Sequence, residues 1–218
     1  ELANNADTYW WSEASSSLID DCFEDRWIIN LLADPDEYSR SLSRLDEALG
    51  QKGPIWNHPR AIALTRRDFA PEVFGGIGGL EVPHVVRFAV SQVAAFREVF
   101  QREGFTYPVL VRPVSSQTGI GLVKINSEFE WEQLERFSSL GRVFFMTQYV
   151  DFRDSDGRFV KVRICFVDDT ISLREYGVSG GWQIGSGGET SPSSNDAIAS
   201  SIDRLLERMR DFQGWTEL

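Results

Sequence analysis

A chain of 218 residues is long enough to bury the core of one large domain or two small ones. With 42% hydrophobic and 25% charged residues it reads as globular, and a formal net charge of −11 argues against a general nucleic-acid or anionic-membrane binder, since phosphate contacts need clustered Lys and Arg. Two cysteines make no disulfide framework, no run of about eighteen apolar residues predicts a membrane span, and the polar start lacks a signal peptide's basic and apolar regions, so the expectation is a cytoplasmic protein.

Residues 1–75 read as an N-terminal α/β domain. Trp27-Ile-Ile-Asn30 is a short apolar run suited to a covered strand, and Tyr38, Leu42, Leu45 and Leu49 recur at helical spacing before Gly50. Pro54-Ile-Trp-Asn57 predicts a second strand, ended by His58-Pro59 because proline disfavours a helical residue before it. A helix over about 60–69 follows. Gly75-Gly-Ile-Gly-Gly79 is the best boundary in the chain, since repeated glycines leave the backbone free and bring no side chains to pack. No Gly-Lys-Ser/Thr follows it, so it is read as linker.

Residues 80–149 and 150–218 form the second and third regions. Val85-Val-Arg-Phe88 predicts a strand, and residues 91–104 a helix capped by Val90 or Ser91 and closed by Gly104. Paired strands are expected over 108–112 and 120–125, then a helix over 127–137 opened by a Ser127/Glu130 capping box. Strands near 142–150 and 159–167 come next, with Asp154-Ser-Asp-Gly157 as a turn between them. Asp168-Asp169 turns into a further strand through Leu173 and Tyr176. Residues 179–194 are rich in Gly and Ser and read as a loop, in which Gly185-Ser-Gly-Gly188 looks as much like an engineered linker as a natural one. Ile198, Ile202, Leu205, Leu206, Met209 and Phe212 then share one face of a terminal amphipathic helix.

Three segments carry candidate chemistry. Arg112 ends the apolar run Pro108-Val-Leu-Val, beside a loop in which Ser115, Ser116, Thr118, Gly119 and Gly121 let backbone amides approach an anion. A small polar hairpin loop with a surface ion pair is the alternative. Gln148-Tyr149-Val150-Asp151 ends an apolar strand and offers backbone groups to a base edge, an aromatic surface to its face and a carboxylate to ribose; many strand ends look the same without binding anything. Lys161 and Arg163, two apart in a strand, point to one face and suit a polyphosphate, or equally a solvated sheet face. His58 and His84 each lie beside proline without a nucleophile pattern and are read as structural.

Taken together, these segments resemble the ATP-grasp superfamily, which includes glutathione synthetase, D-alanine ligase and the ligases that add glutamate to a ribosomal protein. Val109-Leu-Val-Arg112-Pro113 is similar to the strand ending in Lys-Pro in the family's small lobe, with arginine in place of lysine. Met146-Thr-Gln-Tyr-Val-Asp151 resembles the interlobe strand, and Val160-Lys-Val-Arg163 the next strand with its basic residue near the phosphates. The resemblance covers roughly residues 54–175. It implies an ATP-grasp-like α/β protein with α+β lobes: the N-terminal α/β domain, a small ATP-binding lobe at 80–149, and the remaining, partial or degenerate large lobe at 150–218. It implies ATP and magnesium as cofactors and an unidentified carboxylate and amine as substrates, joined through an acyl-phosphate. Arg163 takes the catalytic place. Arg112, Ser115, Ser116, Thr118, Gly119, Gly121, Gln148, Tyr149, Val150, Asp151 and Lys161 take the nucleotide-binding places. Some members are dimers or tetramers, so a homo-oligomer is compatible with the resemblance. The family's magnesium triplet, an acid followed by Glu-x-Asn, has no counterpart after residue 175. Either those strands lie beyond Leu218 or this relative has lost them, which leaves a nucleotide-binding or scaffold module without catalysis as the alternative.

Overall fold

The computed structural model describes residues 27–49, 54–114, 116–137, 142–167 and 170–184, together with Arg204 and Glu207. Trp10, Trp11, Cys22, Ser115, the Asp168-Asp169 turn, residues 185–194 and most of the expected terminal helix lie outside them; Arg204 and Glu207 are helical. The chain forms two compact units, residues 1–66 and 67–218.

In the first unit, β1 (Ile28–Ile29) runs parallel to β2 (Ile55–Trp56), in a register that sets Ile28 against Ile55. Parallel strands need a crossover, and α1 (Ser39–Leu49) lies within it. Asp34 Oδ1 accepts from the amides of Asp36 and Glu37 at 2.9 and 3.0 Å, which supplies acceptors to donors ahead of the first turn. Leu49 and Ile28 are buried, with Leu45, Ala48 and Ile55 packed against them. The expected second helix breaks in two. Helix α2 (Pro59–Leu64) ends where both the amide and the hydroxyl of Thr65 donate to Ile62 O, at 3.0 and 2.8 Å. His58 starts that helix, its Nδ1 accepting from the Arg60 amide at 3.2 Å, and is therefore a capping group.

The second unit opens with a 3-10 turn (Arg67–Phe69) and a short helix α3 (Ala70–Phe74). The glycine run follows as turns pinned by buried Ile77. A four-stranded antiparallel sheet then has the order β3 (Val85–Val90), β6 (Arg142–Gln148), β4 (Val109–Pro113), β5 (Val123–Ile125). Alternation puts Phe88, Val90, Val109, Val111, Val123, Ile125, Phe144 and Met146 on one face, where they are all buried. Helix α4 (Ala94–Arg102) adds Phe96 and Val99 to that core. It starts later than expected, with Val93 as its cap and no side-chain bond, because β3 continues through buried Val90. Gly104 closes it at φ +71°.

Residues Glu128–Phe137 form the expected helix, of 3-10 type. Trp131, Leu134 and Phe137 recur at intervals of three, the 3-10 period, and Trp131 and Leu134 are buried. The Trp131 indole donates to Tyr107 Oη at 2.8 Å. The capping box sits one residue upstream of its expected place: the Glu130 carboxylate accepts from the amide of Asn126, at 3.0 Å. Finally, β7 (Phe159–Val167) and β8 (Thr170–Ser179) pair as an antiparallel hairpin with a register shift between Arg163 and Ile164. No helix among the described residues is long and apolar enough to cross a membrane.

Candidate functional site

The face of the four-stranded sheet turned away from the buried core carries cations. Register places Arg87 on β3, Phe145 on β6 and Arg112 on β4 in one row across the sheet, and Leu110 opposite Lys124 in the next. Because side chains opposite one another share a face, Arg87, Arg112 and Lys124 all project from the face opposite that core, where they are half-buried and the Phe145 between the two arginines is 1% exposed. Arg87 and Lys124 were not recognised in the sequence. Their signal was there: in Val86-Arg87-Phe88 and Val123-Lys124-Ile125 a single cation sits between core residues, so alternation alone turns it outward.

Between β4 and β5 the chain forms two consecutive turns, with Ile120 N donating to Gln117 O at 3.0 Å and Leu122 N to Gly119 O at 3.1 Å. Thr118, Gly119 and Gly121 are left-handed, at φ +54°, +78° and +71°. Glycine adopts that conformation freely; threonine does so at a cost of about 1–2 kcal/mol. Gly121 is also tight, since a Cβ there would stand 3.1 Å from Pro113 Cδ. Arg112 folds back over the start of this loop. Its guanidinium donates to Ser116 O and, from Nε at 3.2 Å, to Ser116 Oγ, which in turn donates to Pro113 O at 2.7 Å. Ser115 lies outside the described residues.

Residues 148–151 divide in what they contact. The Gln148 side-chain amide is engaged with residues 106–108: Nε2 donates to Thr106 O and Pro108 O, both at 3.1 Å, and Oε1 accepts from Thr106 N at 3.1 Å. Tyr149, by contrast, meets Lys124, whose Nζ stands 3.4 Å from the ring centroid, a cation–π contact. Trp182, just after β8, presents its ring edge-on to Tyr149 at 6.4 Å. Val150 is half-buried beside them in sequence. Asp151 is clasped by Arg153 in a bidentate ion pair, Nε donating to Oδ1 at 2.8 Å and Nη2 to Oδ2. That hydrogen bond is the main reason its carboxyl is held below its ordinary value, with the charge of Lys124 adding a smaller push.

On the hairpin, Lys161 is half-buried and Arg163 exposed, both ahead of the register shift and so on one face, as their spacing requires. Lys161 pairs in register with Gly177, and Arg163 with Glu175. A Cβ on Gly177 would stand 3.1 Å from Ile184 Cγ2, so Ile184 packs on the face that bears Lys161. Contacts thus bring together Lys124, Tyr149 and Trp182, and Arg112 with Ser116. Gly119 meets Gln183, and Lys161 shares its face with Ile184. Among the described residues no three His, Cys, Asp or Glu side chains converge as a metal site requires.

No family model matches this sequence, and no curated protein does. Solved structures do match. A carboxyaminoimidazole ribonucleotide synthase from Aspergillus clavatus, complexed with ATP, aligns with a TM-score of 0.52 at 14% identity, over 77% of this chain and 42% of its own. The D-alanine–D-alanine ligase of Helicobacter pylori (TM-score 0.49, 12% identity, 86% of this chain and 59% of that one) and the VanG D-Ala:D-Ser ligase of Enterococcus faecalis (0.49, 15%, 84% and 56%) are similar. The chain therefore spans about half the length of these enzymes. Its lobes, partial by that measure, carry an ATP-grasp-like fold.

Proposed function

We propose that this chain is the nucleotide-binding part of an ATP-dependent ligase. The observation that carries the reading is the cationic face: Arg87, Arg112 and Lys124 project from one side of a sheet, beside a loop whose left-handed Thr118, Gly119 and Gly121 bare its backbone. Cations in register with a small-residue loop suit a polyphosphate, because fixed donors and exposed amides stabilise charge without reorganising. In this reading Arg112, Ser115, Ser116, Thr118, Gly119 and Gly121 hold phosphates. Tyr149, Val150 and Asp151 line the base and ribose, Gln148 ends the strand that carries them with its amide given to His84 O at 2.8 Å, and Lys161 and Arg163 face the polyphosphate from the hairpin.

The fold neighbours favour ligase chemistry of the carboxylate–amine type. A carboxylate oxygen would attack the γ-phosphorus as the bond to the β-phosphate oxygen breaks and ADP leaves. An amine would then attack the acyl carbon and displace inorganic phosphate, its proton passing to a base or water. Arg163 would stabilise the charge that gathers on the transferring group. Magnesium is the expected counter-ion of the nucleotide, but the described residues supply no carboxylate cluster for it, and no step is assigned to it. The lack of an acid followed by Glu-x-Asn after residue 175 supports a second reading, a nucleotide-binding module without catalysis.

Calorimetric titration of ATP with and without magnesium tests both. Binding is expected, weakened about tenfold or more by Arg112→Ala and by Arg163→Ala, the cost of a lost charge-assisted contact. ADP release in the presence of an acid and an amine supports the ligase, and binding alone supports the module. Absence of ATP binding overturns both.

A further inference from the structure

Trp182, Gln183 and Ile184 are consecutive, and each docks on a different part of the proposed nucleotide site. The Trp182 ring stands edge-on to Tyr149 and 5.7 Å from Lys124 Nζ. Gln183 Nε2 donates to Gly119 O at 3.4 Å and sits so close that a Cβ on Gly119 would meet it at 2.3 Å. Ile184 packs over Gly177 on the Lys161 face of the hairpin. An aromatic ring, a hydrogen-bond donor and an aliphatic group thus engage the base-stacking surface, the loop backbone and the edge of the hairpin face.

Resting on that reading of the site, we propose that residues 182–184 form an autoinhibitory strap. It occupies the site in the ligand-free protein and must be displaced before ATP binds. The indole takes the place beside Tyr149 and Lys124 that a nucleobase would take, and the Gln183 amide ties down the loop that would close on phosphates. Apparent affinity is then the intrinsic affinity reduced by the fraction of molecules with the strap released.

Titration of the full chain with magnesium-ATP tests this in the unsubstituted protein, in Trp182→Ala and in Gln183→Ala. Gln183 is exposed, so its truncation leaves packing intact. Both variants are expected to bind at least about fivefold more tightly, and without nucleotide both are expected to exchange the amide hydrogens of residues 117–121 faster. If the unsubstituted protein binds ATP and the variants bind it equally or more weakly, the strap is overturned while the nucleotide site stands. Unchanged exchange at 117–121 in both variants also overturns the strap. Binding by none of the three removes the nucleotide site and the strap with it.

Discussion

Thr118 carries a side chain at φ +54° in a loop where its two left-handed neighbours are glycines. Thr118→Gly should therefore stabilise the fold by about 0.5–1 kcal/mol, the left-handed penalty less the extra chain entropy of glycine. Gly121→Ala should do the opposite. It combines a positive φ with a Cβ 3.1 Å from the Pro113 ring, and a loss of more than about 1 kcal/mol in urea unfolding is expected. Three carboxylates add a dependence on pH. Asp154 is held low chiefly by the Arg158 amide, Glu130 by the Asn126 amide and Asp151 by the Arg153 guanidinium. Each has a lower pKa folded than unfolded, so the unfolded chain binds more protons in acid. The stability these groups add is complete above the ordinary values of 3.8 for Asp and 4.5 for Glu, and is lost as pH falls through the depressed ones. Unfolding midpoints measured from about pH 6 downward should fall along that limb, and Asp154→Asn should make the fall shallower.

At the scale of elements, the sheet and its helices are joined by aromatic contacts. Phe96 of α4 meets Phe88 and Phe144 edge-on, at 5.6 and 5.0 Å, and is 1% exposed. Phe96→Ala should cost about 3–5 kcal/mol, read as a drop in denaturation midpoint. Gln148 joins two elements with polar bonds, tying the end of β6 to the segment before β4. Gln148→Leu should lower stability by about 0.5–1.5 kcal/mol, because the exposed Thr106 amide and carbonyl exchange their protein partner for water while Pro108 O keeps the Tyr149 amide. Should its stability instead match that of the unsubstituted protein, the clamp is ornamental. Helix–strand alternation could be read from periodicity, as could the paired strands around the loop. The helix over 128–137 was legible, and its 3-10 form matches the three-residue spacing of Trp131, Leu134 and Phe137. The broken second helix followed from a local Thr65 bond that periodicity does not register.

At the scale of the whole molecule, a ligand that binds the folded chain and not the unfolded one stabilises it by mass action, so the proposed nucleotide site has a thermal readout. Magnesium-ATP at about a hundredfold over its dissociation constant is expected to add about 2.7 kcal/mol, seen as a rise in melting temperature that Arg112→Ala reduces. Sequence by itself determined the order of strands and helices apart from the break before α3, the apolar face of the sheet and the candidacy of Arg112, Tyr149 and Lys161, because these depend on local periodicity and on short segments. Only the tertiary structure decided the rest. Strand register set Arg87 and Lys124 on the face of Arg112, and the chain's return after β8 brought Trp182 to Tyr149 and Gln183 to Gly119. Partners 33 and 64 residues apart meet only through the folding of everything between them, and no local pattern encodes that closure.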